Sequence, residues 1–200
     1  MKILKKIASV VLLVILILGL NSCRETTLKD WFKAGSKPES YIVGLDKSVY
    51  QNGNQSAFLE SIDSISNGFG TLMQSCDAKK YSGKKIKMSG FVKSENVKDW
   101  SGMWLRIDST QSPSSKHFDN MLNRPIKGKT DWTNYENIMD VPENSYTMNF
   151  GILLAGTGKV WIDNLSFEII GISSEKFNDS SSGERSFELN SEPQNLNFEK

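Results

Sequence analysis

Trp104, Arg106 and Asp108 occupy alternate positions of "GMWLRID". On a strand they put an indole ring, a guanidinium and a carboxylate on one face. That mixture suits a sugar, whose C–H faces stack on aromatic rings and whose hydroxyls need paired polar groups. Trp100 stands just before, in "KDWSGM", where a large ring is hard to bury. Trp132 and Tyr135 begin another strand in "TDWTNYEN", and His117, Asp119 and Asn120 lie in a long polar loop. The candidate ligand-binding set is therefore Trp100, Trp104, Arg106, Asp108, His117, Asp119 and Trp132. Each ring has a competing assignment to the core or its rim. Arg106 and Asp108 can equally form a surface ion pair, contributing about 0–1 kcal/mol.

Other chemistries are poorly served. His117 is the only histidine, so any Ser-His-Asp or Cys-His scheme must use it. "SKHFDN" holds no nucleophile elbow, Cys76 sits in no motif, and nothing singles out a pair of carboxylates for glycoside hydrolysis. The expectation is a protein that is not an enzyme. One histidine and two cysteines leave too few ligands for zinc. Calcium, which takes loop carboxylates and carbonyls, stays open. The 24 basic and 23 acidic residues nearly balance, and three of the lysines lie in the first six positions. That gives no electrostatic case for nucleic acid, and there is no basic helix-turn-helix segment.

The elements that must position these residues are strands. From 41 to 171, Gly, Asn, Ser and Asp punctuate the chain every eight to twelve residues, between short apolar runs. That pattern predicts an all-β fold, an antiparallel sandwich or barrel. Ile86, Met88 and Val92 alternate with polar residues in "KKIKMSGFV", as do Met103, Leu105 and Ile107 in "GMWLRID". Met148, Phe150, Ile152 and Leu154 share a face of "YTMNFGILLAG". In "GKVWIDNLSFEII", Val160 and Ile162 have one parity and Leu165, Phe167 and Ile169 the other, which predicts a bulge or bend at Asp163-Asn164. "SAFLESIDSI" tempts as a helix but also alternates.

The first residues read as an address. Lys2, Lys5 and Lys6 precede an apolar run over 7–20, which is too short to span a bilayer comfortably and fits a signal-peptide core. "Leu20-Asn21-Ser22-Cys23" resembles the lipobox of bacterial lipoproteins, with Asn21 departing from the usual small residue. The resemblance implies cleavage before Cys23 and its lipidation. A lipid-anchored domain in the bacterial cell envelope follows, on the outer membrane or the outer face of the cytoplasmic membrane. Cys76 is then alone, with no internal disulfide.

"GKKIKMSGFVKSENV", "WSGMWLRID" and "TDWTNYENIMDVPENSYTMNFGILLAGTGKVWIDNLSFE" resemble jelly-roll carbohydrate-binding modules with a galactose-binding-like fold. "FDNMLNRPIKGKTDW" is similar to a subgroup found alone outside the cytoplasm or joined to bacterial regulators and hydrolases. The family's opening phrase, Asn-x-x-Phe-Glu, is missing before "KDWF" and stands instead at 195–199, echoing Asn164 to Glu168. The resemblance implies a structural Ca²⁺ between that glutamate and the last strand's aspartate, here Glu199 and Asp163.

The expected organisation is a signal peptide (1–22), anchor and tether (23–40), jelly-roll domain (41–171), polar linker (172–193) and a C-terminal strand (194–200) returning to the sandwich beside Asp163. The expected function is a lipid-anchored, non-catalytic binding module for a glycan or small polar ligand. A protein-interaction or envelope-structural lipoprotein is the alternative.

Overall fold

The computed structural model describes residues 28–62, 68–110, 117–177 and 189–200. The leader, Cys23 and residues 178–188 of the linker lie outside the described residues. No helix among the described residues is long and apolar enough to cross a membrane.

The alternating segments form strands β1 (Phe32–Gly35), β2 (Tyr41–Asp46), β3 (Ser56–Ser61), β4 (Phe69–Asp77), β5 (Lys84–Asp108), β6 (Phe118–Asp119), β7 (Ile126–Val141), β8 (Thr147–Ala155) and β9 (Lys159–Ile172). These strands pair antiparallel throughout. Two sheets share β5. Its Lys84–Glu95 half pairs with β9 in the order β2-β3-β9-β5, and its Trp100–Asp108 half pairs with β8 in the order β1-β4-β8-β5. Strands β7 and β6 flank β5 on its other side. The result is an antiparallel jelly-roll β-sandwich.

The alternation explains the core. Ile86, Met88, Val92, Met103, Leu105, Ile107, Met148, Phe150, Ile152 and Leu154 are all fully buried. The parity switch in β9 is a bulge. Between Ser89↔Ser166 and Phe91↔Asp163 the register slips by one residue, and Asn164 takes a φ of 49°.

Three boundaries differ from expectation. "KKIKMSGFV" and "GMWLRID" are one strand, because Val97 between them is 3% exposed and pairs with Gly128 across three register shifts. The tether is shorter than residues 23–40. Leu28 and Trp31 are buried and β1 pairs with β4, so the polar run from 24 to 40 conceals the two side chains that fix the chain to the core. Residues 194–200 do not form a strand. Asn195 and Phe198 take φ of 46° and 57°, left-handed values that interrupt regular strand pairing, and Phe198 N–H donates to the Asn195 carbonyl in a turn. The segment is nevertheless packed. Phe198 is fully buried against Trp31, with ring centroids 5.1 Å apart, and Leu165 N–H donates to the Leu196 carbonyl at 3.0 Å.

Asp46 closes β2 by accepting the Ser48 N–H and hydroxyl, the Val49 N–H and the Trp161 indole N–H. Burial alone would raise its carboxyl, but these donors together lower it to about 2. A depressed carboxylate stabilises the fold above its unfolded pKa, near 4, and that contribution is lost as pH falls through about 2. Asp46→Asn is expected to be less stable than the parent near pH 5 and to close the gap near pH 2. Urea midpoints across that range check it.

Candidate functional site

The face of the β1-β4-β8-β5 sheet turned away from the core forms a groove of about 420 Å³. Strand register sets its layout. At one end Phe69, Ala155 and Trp100 lie side by side across β4, β8 and β5. Next come Ala34, Thr71, Leu153 and Gly102, then Met73, Gly151 and Trp104. The far end is polar, with Ser75, Asn149 and Arg106 in line and Phe118 of β6 beside Arg106. Gly102 has a specific purpose. A Cβ there would lie 2.6 Å from the Asn120 carbonyl oxygen, so only glycine lets the 118–121 segment fold over the groove's edge.

The end-row polar groups are ordered by one another. Arg106 donates from Nε and Nη2 to Asp108 Oδ2, both at 3.0 Å, and Asn149 Nδ2 donates to the same oxygen at 2.8 Å. Ser75 Oγ donates to Asn149 Oδ1 at 2.6 Å. A charge-assisted pair held in this way fixes the guanidinium before any ligand arrives.

Trp100, Trp104 and Arg106 line the groove, and Asp108 braces Arg106 from the same strand. For Trp104 the core assignment holds as well as the groove one. It is 7% exposed, and its indole N–H donates to Thr71 Oγ1 at 2.8 Å, so it forms floor. The open rings are Phe118, 43% exposed, Phe69, 37% exposed, and half-buried Trp100. The sequence reading missed Phe69 and Phe118. The "FGTLMQSC" alternation of Phe69, Thr71 and Met73 was the available signal for the first, and the neighbour of His117 for the second.

The remaining candidates lie elsewhere. His117 is buried, with Nε2 2.6 Å from Glu175 Oε2 and its ring edge-on to Phe177. Asp119 is held in a bidentate pair by Arg124 and accepts the Asn137 amide. Burial would raise its carboxyl, but Arg124, the Met121 N–H and Asn137 more than offset that and lower it. Trp132 lies on β7, which pairs only with the shared strand, and is not among the groove's lining residues.

Asp163 and Glu199 do come near each other, since each influences the same turn. Asp163 Oδ2 accepts the Gln51 and Asn52 N–H groups and Oδ1 that of Asn164. Burial pushes its carboxyl up against those donors. Glu199 accepts the Asn54 N–H at 2.7 Å and the Gln55 N–H, which lower its carboxyl. Both carboxylates are engaged by backbone N–H groups of one turn. They tie the 51–55 turn. Among the described residues no group of three or more His, Cys, Asp or Glu is placed to hold a metal.

No family model matches the chain. Over 181 residues it is 38% identical to the uncharacterized HTH-type transcriptional regulator YbfP of Bacillus subtilis (strain 168), a match covering 90% of this chain and 59% of the relative. The chain thus spans a little over half the relative's length. Among solved structures it is similar to the enzymatically active domain of bacteriophage CBA120 tailspike protein 4, with a TM-score of 0.57, 13% identity and coverage of 72% of this chain and 20% of that one. It is also similar to the CBM22-1 xylan-binding domain from Paenibacillus barcinonensis, with a TM-score of 0.51, 13% identity and coverage of 74% and 90%. The C-terminal family 22 carbohydrate-binding module of a Clostridium thermocellum protein gives a TM-score of 0.51 at 16% identity, covering 74% and 91%. At such identities the likeness is one of fold, an antiparallel β-sandwich.

Proposed function

We propose that this chain is a non-catalytic glycan-binding module, held in the bacterial cell envelope by a lipid on Cys23. The groove carries the reading. It is open, has aromatic rings at both ends and ends in a braced polar row, an arrangement that fits stacked sugar rings with hydroxyls directed to one side. Residues 100 to 106 of β5 span roughly 20 Å, room for an oligosaccharide. The fold shared with a xylan-binding domain supports it. The reading is non-catalytic because glycoside hydrolysis needs two carboxyl groups about 5–9 Å apart facing the sugar. Among the described residues the groove lining is aromatic and aliphatic with Thr71, Arg106 and Asn120, and holds no carboxyl group.

The likeness to a helix-turn-helix regulator favours a second reading, in which the same module reports ligand occupancy to an attached regulatory part. The full-length protein in detergent, tested against a broad panel of immobilised polysaccharides, is expected to be retained by at least one. Cys23→Ser is expected to move the protein from the membrane to the soluble fraction. Retention by none would remove the glycan reading, and unchanged membrane partition would remove the anchor.

A further inference from the structure

The groove's few polar side chains are not an even mixture of donors and acceptors. Thr71 is spent, because its Oγ1 accepts the Trp104 indole N–H and its own proton goes to the Ile152 carbonyl at 2.8 Å. Asn120 commits its Oδ1 to the Leu122 N–H at 3.2 Å, which leaves its Nδ2 as the half that faces a ligand. The opposite amide orientation would set donor against donor. Arg106 gives Nε and Nη2 to Asp108, and among the described residues Nη1 has no acceptor. Trp100 contributes an indole N–H, a donor only. Asp108 itself is 7% exposed, and its Oδ2 already takes Arg106 and Asn149.

Among the described residues, a ligand in this groove therefore meets side-chain donors and no uncommitted side-chain acceptor. Neutral sugar hydroxyls both donate and accept, so such a wall leaves their protons unserved. A carboxylate only accepts, and a guanidinium with an amide N–H is what it binds. We infer that the groove selects glycans bearing carboxylates, the uronic acid class, with Arg106 Nη1 and Asn120 Nδ2 as the donors. This rests on the glycan reading of the same groove and names its ligand class.

The test uses pairs of oligouronates and their methyl esters, built on galacturonate, glucuronate and mannuronate, with neutral oligomers beside them. Titration calorimetry on the full chain reads the affinities at low and high salt. At least one free acid is expected to bind about tenfold more tightly than its ester, and added salt narrows the gap. Arg106→Gln is expected to bring the acid down to the ester's affinity. Asn120→Asp keeps the acceptor for Leu122 while replacing the donor with a negative charge, and is expected to weaken the acid specifically. Esters or neutral oligomers that bind as tightly as the acids would overturn the carboxylate inference and leave the glycan reading standing. Binding of none of them, nor of any polysaccharide in the broad panel, would overturn both.

Discussion

Phe198→Ala is expected to destabilise the protein by about 3–5 kcal/mol, the range for truncating a fully buried phenylalanine. The side chain has no exposed surface and packs on Trp31, which in turn meets Phe150 edge-on at 5.6 Å. Removing the ring opens a cavity beside Trp31, which the tail and the segment before β1 now fill from opposite ends of the chain. The loss is a large share of a typical domain's stability of 5–15 kcal/mol. It also loosens the anchoring of residues 189–200, which pair Asn190 with Cys76 and bond Asn195 to Trp31. Urea unfolding followed by tryptophan fluorescence reads the effect directly, with Trp31 as a local reporter. A change below about 0.5 kcal/mol, the range of surface substitutions, would show that the tail contributes nothing to the core.

Trp100→Ala is expected to weaken glycan binding by about 10- to 100-fold while the unfolding midpoint moves little. The ring is half-buried and stands at the open end of the groove beside Phe69, so much of its surface is available to a sugar face. About 25 cal/mol per Å² over several tens of Å², with a further 0.5–1.5 kcal/mol from ring geometry, amounts to roughly 1.5–3 kcal/mol. Trp132→Ala is the matched control, since that ring lies on β7 outside the groove lining, and its affinity is expected to equal the parent's. Equal losses from the two substitutions would place the ligand elsewhere.

The strands were legible because burial on one face imposes a period of two, and Met103, Leu105 and Ile107 or Met148, Phe150 and Ile152 carry it without interruption. The groove was half legible. Trp100, Trp104 and Arg106 share one strand, so their parity alone puts them on one face. Phe69, Met73 and Leu153 reach the same surface from β4 and β8, and only the register brings them there. His117, Asp119 and Trp132 show the limit of residue type. Each is chemically apt for a sugar, yet His117 is taken by Glu175 and Asp119 by Arg124 and Asn137, while Trp132 lies on β7 outside the groove lining. The repeated Asn-Leu-x-Phe-Glu phrase misled in form and not in place. Its phenylalanine enters the core and its glutamate meets the turn near Asp163, but left-handed residues at Asn195 and Phe198 make it a turn.

The tail's bonds to the lead-in segment have a mechanical consequence. Asn195 Nδ2 donates to the Lys29 carbonyl, Gln74 Nε2 donates to both the Asp30 and Gln194 carbonyls, and the Trp31 indole donates to the Asn195 carbonyl. Lys29, Asp30 and Trp31 directly precede β1, whose Ala34 and Gly35 form one wall of the groove. Were the chain held by the proposed anchor, tension arriving at residue 28 would meet the bonds to the tail and Gln74 before the groove wall.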